Sequence, residues 1–466
     1  MQIVLLSGGS GKRLWPLSNE IRSKIFLKLL KSEDGGKESM IQRICRQLDS
    51  SGLLQSTSIV THKCQIEITQ NHIGDRIPII SEPHKRGTFT AVALAASYFH
   101  SQMHVEPEET ICIIPVDLFV ETEFFNLLHK FPGVLSHSQA DLALLGTAPK
   151  HPSNQFGYIV PNINHNTEYF SVAQFVEKPD EKNAIRLIRK KAMWNCGVFA
   201  FSLKFMLSYL KNKGLPICYE ELLERYEHLP EASFDHEVVE KTRHSVVISY
   251  DGAWKDLGSW DTLSNHLESS ITGSGQISND SVNTHLVNEL SYPVHIIDVS
   301  NIIVAASPDG ILVASKSKSN QIKDKLNYVR QSPMYEEKRW GTYRVLDHSQ
   351  TEKDTVTVTK KMELLPGKNT SYHMHQKRKE IWTIISGSGE LILDDKIYPI
   401  QTGDVLQIPY GAKHGVKAIT PLEFIEIQIG NELAEEDTIR IAITWEDSIQ
   451  NCKDRFICKN LPSPLQ

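Results

Sequence analysis

The hydrophobic pattern changes its period along the chain, and this change constrains the fold more than any other feature. As far as about residue 265, short apolar runs such as 3–6, 58–61, 110–115 and 142–146 alternate with amphipathic segments such as 39–48 and 88–103. Buried strands that alternate with helices predict a parallel sheet covered on both faces. From Lys338 onward the pattern becomes a series of short strands with period-two alternation, which indicates a sandwich or barrel.

A chain of 466 residues is too long for a single hydrophobic core, so we expect several domains. The composition shifts toward Gly, Ser, Asn and Thr near Ser269, and a predicted polar helix at 318–329 leads to a further boundary near Pro333. We therefore predict a first domain at 1–268, a linker or short β unit at 269–334 and a β domain at 335–445. The tail at 446–466 contains Pro462 and Pro464, and we predict that it is loosely held.

The bulk composition excludes several classes of partner. A net charge of -6 argues against nucleic-acid binding over the whole surface. Apolar runs are too short to span a membrane, and no secretory signal is visible. The seven cysteines are scattered and form no C-x-x-C pair, which favours reduced thiols and a cytoplasmic location. Small molecules are the expected partners, and a homo-oligomer is left open.

A glycine-rich loop follows the first predicted strand. Gly8, Gly9 and Gly11 are followed at once by Lys12 and Arg13, and Lys24 comes later. Glycines let backbone N–H groups approach a phosphate closely, and fixed cations neutralise its charge. A loop of this kind also occurs in ordinary strand–turn–helix connections, so its wider context decides its meaning.

The longer string at 9–18, followed by Lys24, resembles the signature of sugar-nucleotide pyrophosphorylases, most closely the mannose-1-phosphate guanylyltransferases. The resemblance continues in segments at 82–88, 115–117, 157–159, 175–179, 194–199 and 254–260. It implies an α/β nucleotidyltransferase fold with a Rossmann-like mixed sheet. The implied reaction is attack of a sugar-1-phosphate oxygen on the α-phosphate of a nucleoside triphosphate, with release of pyrophosphate.

The resemblance also implies the roles of individual residues. The implied catalytic residues are Arg13, Lys24, Asp117 and Asp256. Asp117 and Asp256 would hold Mg²⁺, while Arg13 and Lys24 would contact the phosphates. Asp117 follows a buried strand, where ligand sites form, and carboxylates suit Mg²⁺. The implied nucleotide-binding residues are Ser7, Gly8, Gly9, Gly11, Arg13, Lys24, Arg86, Thr88 and Asp117. The implied sugar-phosphate-binding residues are Gly146, Tyr158, Glu177, Lys178 and Asn195.

Five positions depart from the family pattern, namely Lys12, Ser23, Ile25, Gly87 and Thr90. The changes near Ile25, Gly87 and Thr90 leave the identity of the base and the sugar open. We expect GTP and α-D-mannose 1-phosphate as substrates, giving GDP-mannose. Cytosine, thymine or uracil nucleotides and other sugars remain alternatives, as does a catalytically inactive sugar-nucleotide sensor.

Three histidines and a glutamate in the C-terminal part have the spacing of the two cupin motifs. His373 and His375, two residues apart on a strand, face the same side, and Glu380 and His414 can reach the same point. Three imidazoles and a carboxylate suit a divalent transition metal such as Zn²⁺, Co²⁺, Mn²⁺, Fe²⁺ or Ni²⁺. The sequence therefore predicts a C-terminal all-β cupin barrel with a metal site.

This region resembles the mannose-6-phosphate isomerase domain that is fused to such guanylyltransferases. The resemblance rests on segments at 339–343, 426–430 and 436–440. It implies interconversion of mannose 6-phosphate and fructose 6-phosphate, with Arg440 as a catalytic residue that binds phosphate or steadies an enediolate. A purely structural cupin is the alternative.

Overall fold

The computed structural model describes residues 1–9, 11–162, 168–326, 333–350, 355–431, 433 and 437–452. Predicted features at Ser10, at 327–329, at Glu436 and in the tail from 453 onward lie outside the described residues. The chain divides into two compact units. The first comprises 1–288, 292–305 and 312–328, and the second comprises 289–291, 306–311 and 329–466.

The strands of the first unit begin within two residues of the amino terminus. The four predicted strands at 3–6, 58–61, 110–115 and 142–146 are all present. In chain order the strands are β1 (Gln2–Leu6), β2 (Leu30–Lys31), β3 (Lys37–Glu38), β4 (Thr57–His62), β5 (Ile79–Glu82), β6 (Thr110–Pro115), β7 (Leu118–Val120), β8 (Leu142–Thr147), β9 (Tyr158–Asn162), β10 (Phe170–Val176), β11 (Met193–Ser202), β12 (Ser245–Tyr250) and β13 (Trp254–Asp256).

Among the described residues, nine of these strands form one central sheet in the order β5-β4-β1-β6-β11-β8-β12-β10-β9. The pairs β1–β4, β1–β6, β4–β5 and β8–β12 are parallel. β11 runs antiparallel between β6 and β8, so the sheet is mixed. The mixed sheet that the resemblance implies is therefore observed, and the purely parallel sheet that the apolar runs suggest is not.

Helices cover both faces of this sheet. Ser39 caps α1 through a reciprocal pair of hydrogen bonds with Gln42, which explains why the predicted helix begins there. α3 is apolar on most of its surface because it lies in the core of one face. The helices are α1 (Met40–Ser50), α2 (Ile66–Ile73), α3 (Thr88–Ser101), α4 (Glu123–Asn126), α5 (Phe131–Ser138), α6 (Glu181–Arg189), α7 (Leu203–Asn212), α8 (Tyr219–Glu224), α9 (Phe234–Glu237) and α10 (Trp260–Ser264).

The region predicted as a linker or short β unit contains a series of short strands. Its strands are β14 (Ile271–Thr272), β15 (Gly275–Ile277), β16 (His285–Asn288), β17 (Val294–Ile296), β18 (Ile302–Ser307) and β19 (Gly310–Ser315). The polar helix predicted after them is a 3-10 helix, Lys316–Gln321, that continues into α11 (Ile322–Lys325).

The second unit is built from two facing sheets. One has the order β20-β21-β22-β29-β24-β27 and the other β26-β25-β28-β23-β30, and a core of buried apolar side chains contains residues of both. The strands are β20 (Tyr335–Lys338), β21 (Gly341–Gln350), β22 (Val356–Leu364), β23 (Tyr372–His375), β24 (Arg378–Ser386), β25 (Ser388–Leu393), β26 (Lys396–Gln401), β27 (Val405–Ile408), β28 (His414–Ala418), β29 (Leu422–Gly430) and β30 (Thr438–Ala442).

The start of the predicted loose tail is ordered, which corrects that expectation for residues 446–452. Helix α12 (Trp445–Gln450) is capped by Thr444, whose side chain accepts a hydrogen bond from the backbone N–H of Asp447. Trp445 and Cys452 are buried in a small apolar cluster with Tyr372. The two prolines near the end of the tail predict a loosely held segment. The buried side chain of Trp445 nevertheless holds the chain in place up to residue 452.

No helix in the described part of the chain combines the length and the apolar character that a membrane crossing requires.

Candidate active site

The carboxyl ends of β1 and β6 meet at one edge of the central sheet. The two strands are parallel neighbours with Leu6 opposite Pro115, so the glycine loop after β1 lies beside Asp117 after β6. Ligand sites of α/β sheets form at this edge. A cleft of about 320 Å³ opens there. Eight of the nine predicted nucleotide-binding residues line it: Ser7, Gly8, Gly9, Gly11, Arg13, Lys24, Thr88 and Asp117.

A short antiparallel ribbon brings Asp256 to the same edge. β13 pairs with β7, and Asp256 stands opposite Leu118, next to Asp117. Lys24 bridges the two carboxylates, with its Nζ 2.5 Å from Asp117 Oδ2 and 3.8 Å from Asp256 Oδ1. Residues far apart in sequence thus meet because the sheet order places their strands together.

Arg13 completes this cluster. A Cβ added at Gly258 would lie 2.7 Å from Asp256 Oδ1 and 3.2 Å from Arg13 Nη1, so glycine leaves the room that both groups occupy. The structure therefore brings together all four charged side chains, Arg13, Lys24, Asp117 and Asp256.

The cluster shifts the pKa values of its own members. Burial by itself would lower the pKa of Lys24, but the carboxylates of Asp117 and Asp256 outweigh it and raise that pKa. Burial by itself would raise the pKa of Asp117, but the Lys24 ammonium lowers it. For Asp256 burial prevails over the more distant Lys24 ammonium, and the nearby Asp117 adds to it, so its pKa is raised. Asp117 and Asp256 repel each other at this distance, so additional positive charge would stabilise the pair.

The residues present fit a divalent cation. Asp256 Oδ1 is buried and has no hydrogen-bond partner among the described residues. A buried carboxylate oxygen that accepts no hydrogen bond, beside a second carboxylate, is the kind of donor set that Mg²⁺ accepts, together with water and phosphate oxygens. Asp117 and Asp256 would hold the ion.

A second pocket joins the nucleotide cleft at Asp117. It has a volume of about 160 Å³, and both cavities are lined by Pro115 and Asp117. Glu177, Asn195 and Asp256 line the second pocket, as does the aromatic pair of Phe156 and Trp254, whose ring centroids are 5.1 Å apart. A polar floor with aromatic walls suits a sugar ring.

Gly157 allows a carboxylate to enter this pocket. A Cβ at Gly157 would lie only 2.6 Å from Glu177 Oε2, so a larger residue at this position would displace the carboxylate. The Glu177 side chain is 5% exposed and pairs with Lys178. The carboxylate is therefore held in place where a sugar hydroxyl can donate to it.

Asn195 is fixed by three hydrogen bonds. Its backbone N–H donates to the Gly157 carbonyl over 2.8 Å, and its Oδ1 accepts from the Gly197 N–H over 3.0 Å. Its Nδ2 donates to Asp235 Oδ1 over 3.0 Å. Burial, together with repulsion from Glu177, raises the pKa of Asp235 to about 6.

Four predicted residues do not line either pocket. Arg86 donates from its guanidinium to the Glu227 carbonyl. Gly146 lies in β8 against Met193 and Val247, and Lys178 holds Glu177 from outside. The Tyr158 hydroxyl donates to the Ser153 carbonyl, so this buried ring supports the pocket without lining it.

Sequence reasoning missed Asp235 and Lys323, which line the sugar pocket and the nucleotide cleft respectively. Asp235 lies in the first turn of α9, where an acidic residue is ordinary helix chemistry. Lys323 lies in a lysine-rich stretch, which is typical of a solvent-exposed surface. No spacing signal marks either residue.

In the second unit the three histidines form one cluster. His373 and His414 are opposite each other on β23 and β28. One ring nitrogen from each of His373, His375 and His414 lies within 4.8 Å of the others. Nδ1 of His373 is taken by the Ser371 carbonyl at 2.8 Å, and Nδ1 of His414 by the Ala412 carbonyl at 3.0 Å. These bonds leave the Nε2 atoms of both rings to face the centre.

Glu380 lies beside this cluster rather than inside it. Its Oε1 is 3.3 Å from His375 Nε2, and its Oε2 is 3.4 Å from His414 Nε2. The same carboxylate accepts hydrogen bonds from Arg378 Nε at 3.1 Å and from Trp382 Nε1 at 3.0 Å.

The donor set of this cluster fits a divalent transition metal. Nδ1 of His375 and Nε2 of His414 are buried and have no hydrogen-bond partner within the described ranges. Burial and the neighbouring imidazoles lower the pKa of His373 well below its usual value, which keeps it neutral as a ligand must be. Arg440 stands opposite His373 on β30, on the same side of the sheet as the cluster.

Comparisons with known proteins match both parts of the chain to protein families. Residues 2–271 match the family model described as Nucleotidyl transferase, and residues 328–443 match the model described as Mannose-6-phosphate isomerase C-terminal. A mannose-1-phosphate guanylyltransferase of Salmonella muenchen is 29% identical over 474 residues, covering 94% of this chain and 97% of that protein. The alginate biosynthesis protein AlgA of Pseudomonas fluorescens is 28% identical, covering 94% of this chain and 95% of AlgA.

One solved structure is similar over much of the chain. It is described as a mannose-1-phosphate geranyltransferase from Thermus thermophilus, with 26% identity and a TM-score of 0.58. The match covers 70% of this chain and 98% of that one. Because the first family model spans more than half of the sequence, the chain belongs to the nucleotidyl transferase family, and a segment that matches the isomerase C-terminal model follows the transferase region.

Proposed function

We propose that the first unit transfers a guanylyl group from GTP to α-D-mannose 1-phosphate, releasing pyrophosphate and forming GDP-mannose. One observation supports this above all: a cleft lined by a glycine loop and a pocket lined by carboxylates and aromatic rings meet at Asp117. A triphosphate in the cleft and a sugar phosphate in the pocket would touch at that point. The similar proteins of Salmonella muenchen and other bacteria carry the guanylyltransferase name.

The chain needs no nucleophile of its own for this reaction. The sugar phosphate oxygen attacks the α-phosphorus, the bond to the β-phosphate oxygen breaks, and pyrophosphate leaves with that electron pair. Backbone N–H groups of the glycine loop hold the phosphates, and Arg13 and Lys24 neutralise the charge that develops. Glu177, Asn195 and Asp235 orient the sugar so that its phosphate is in line.

A bound Mg²⁺ would supply charge neutralisation at the α-phosphate, with Asp117 and Asp256 as its protein ligands. The role of Lys24 in its absence is to neutralise the same two carboxylates. Because Lys24 contacts both of them, it is placed to shift toward phosphate oxygens when other positive charge is bound.

The substrate panel tests this function directly. Purified protein with Mg²⁺ is offered each of the common nucleoside triphosphates against a set of sugar 1-phosphates, and pyrophosphate release is measured. The highest kcat/KM is expected for GTP with mannose 1-phosphate. Release with a different pair would reassign the substrates, and absence of release with every pair would favour a sugar-nucleotide sensor.

For the second unit we propose metal-dependent interconversion of mannose 6-phosphate and fructose 6-phosphate. The clustering of the three histidines, together with the buried Nδ1 of His375 that has no hydrogen-bond partner in the described residues, supports a bound metal rather than a purely structural barrel. A divalent metal there would polarise the sugar oxygens. Arg440 shares the face of His373 and would bind the substrate phosphate.

The isomerase proposal has its own assay. The protein loaded separately with each candidate metal is given mannose 6-phosphate, and formation of fructose 6-phosphate is followed. Turnover that depends on one of these metals is expected. If the barrel binds metal and yet turns over neither sugar phosphate, the cupin is structural. Both proposed activities use small molecules and suit a cytoplasmic enzyme.

A further inference from the structure

One cation in the nucleotide cleft comes from far along the chain. Lys323, in α11, lines the cleft together with the glycine loop, Lys12 and Arg13. It belongs to the first compact unit. It lies beyond the segment that matches the nucleotidyl transferase model and before the one that matches the isomerase model. Neither family therefore assigns it a role.

The segment that carries Lys323 is anchored. Lys316, at the start of the preceding 3-10 helix, is buried, and its Nζ donates to Asn283 Oδ1 over 2.7 Å. The 3-10 helix contacts α10, and the Ile322 side chain packs against the main core of the unit. Because Ile322, its neighbour in sequence, packs against the core, the backbone of Lys323 has a fixed position beside the cleft.

The charges of the cleft identify what Lys323 can bind. The cations Lys12, Arg13, Lys24 and Lys323 line it, whereas Asp117 is the only carboxylate in that lining within the described residues. Lys24 is already paired with Asp117. Within the described ranges, no carboxylate lies within ion-pair distance of the exposed Lys323 ammonium. Its charge is available to an anion.

The position of the cleft identifies which part of the nucleotide is concerned. The reacting α-phosphate must lie near Asp117, where the cleft and the sugar pocket meet. Lys323 lines the cleft and not the sugar pocket, so it faces the part of the ligand away from the sugar. In a triphosphate, the remaining negative charge lies on the β- and γ-phosphates.

We propose that Lys323 binds the terminal phosphates of the nucleoside triphosphate, and pyrophosphate in the reverse direction. The inference rests on the proposed nucleotidyl transfer and adds a phosphate-binding residue from outside the transferase family region. A lysine on a flexible stem suits this role, because the leaving pyrophosphate must be held and then released.

Calorimetric binding of GTP and of GMP, each with Mg²⁺, tests the inference without requiring turnover. Lys323→Ala is expected to weaken GTP binding about tenfold while leaving GMP binding unchanged, since a charge-assisted hydrogen bond to the terminal phosphates is lost. Lys323→Arg should restore most of the affinity. Lys325→Ala, an exposed lysine of the same helix that does not line the cleft, is the matched control.

Two results would overturn the inference. Equal GTP affinity in Lys323→Ala and Lys325→Ala would mean that the side chain does not contact the phosphates. Equal weakening of GTP and GMP in Lys323→Ala would place it at the base or ribose. Failure of the proposed function gives a different result, because the wild-type protein would then bind GTP and release no pyrophosphate with any sugar phosphate.

Discussion

Asp235 shows how a single side chain can set sugar recognition in the proposed reaction. Its Oδ1 already accepts a hydrogen bond from Asn195, and Glu177 lies close enough to raise its pKa. A second carboxylate beside Glu177 costs electrostatic free energy, and such crowded charges are typical of functional sites. We infer that the pair accepts hydrogen bonds from two hydroxyls of the sugar.

Replacing Asp235 should therefore affect the sugar and not the nucleotide. Asp235→Ala is expected to raise the KM for mannose 1-phosphate about tenfold, because a hydrogen bond to a charged group is lost, with the KM for GTP unchanged. Steady-state kinetics with each substrate varied in turn measures both constants. Glu231→Ala, an exposed acidic residue nearby, is the control. Equal increases in both KM values would contradict a role specific to the sugar.

The pH dependence follows from the pKa of Asp235, raised to about 6 by burial and by Glu177. Above that pH the side chain is a carboxylate that accepts hydrogen bonds, and below it protonation removes one acceptor. The KM for mannose 1-phosphate should rise as the pH falls through 6. The amide of Asp235→Asn does not titrate, so the KM of this variant lacks the rise caused by protonation of Asp235. The variant KM divided by the wild-type KM should therefore decrease as the pH falls. A ratio that stays constant with pH would refute the assignment.

The sequence predicts the residues that act through a motif better than those that act through packing. Asp117 and Asp256 could be named because each lies in a matched string, and the sheet then brings them together. Arg86 and Tyr158 lie in equally good matches, yet their side chains hold the backbone of neighbouring loops. Which way a side chain points depends on tertiary contacts that no local pattern records.

At the scale of elements, the helix after β30 is the clearest departure from expectation. Trp445 is 3% exposed, and Tyr372, Ile392 and Ile397 belong to the same cluster. The two prolines near the end of the tail predict, from local composition alone, that the segment after residue 445 is loosely held. The anchoring apolar surface comes from strands that are distant in sequence, so its effect on α12 could not be read from that segment.

Trp445→Ala should destabilise the second unit. Removing a buried tryptophan leaves a cavity and typically costs about 3–5 kcal/mol in the free energy of unfolding. Urea titration followed by circular dichroism measures the loss. Gln450→Ala, on the exposed side of the same helix, should stay close to wild type. An unfolding transition of Trp445→Ala that matches wild type would mean that α12 does not stabilise the barrel.

At the scale of the whole molecule, the two candidate sites draw on separate residues in separate units. The transferase cluster uses Arg13, Lys24, Asp117 and Asp256, all in the first unit, and the histidine cluster belongs wholly to the second. The change in hydrophobic period predicted this division between an α/β part and an all-β part. It could not predict that the segment at 312–328 belongs with the first unit, since that depends on contacts of α10 and of Ile322.

His375→Ala should separate the two activities. Loss of one of three clustered imidazoles is expected to remove the bound metal and the isomerisation, while pyrophosphate release stays at the wild-type rate. Elemental analysis of the purified variant gives the metal content, and the two assays run on the same sample. The control is His295→Ala, a histidine on the exposed side of β17 that is not in the cluster. A parallel fall in both activities would contradict independent sites.

The most direct test of the whole account compares wild-type protein with Asp256→Asn in the presence of GTP, mannose 1-phosphate and Mg²⁺. The substitution keeps the size of the side chain and removes the charge that would bind the ion. We expect pyrophosphate release to fall by about 100-fold or more, a loss typical when electrostatic stabilisation of the transition state is removed, while GTP still binds. Release within a few-fold of the wild-type rate would contradict the metal site and, with it, the proposed chemistry.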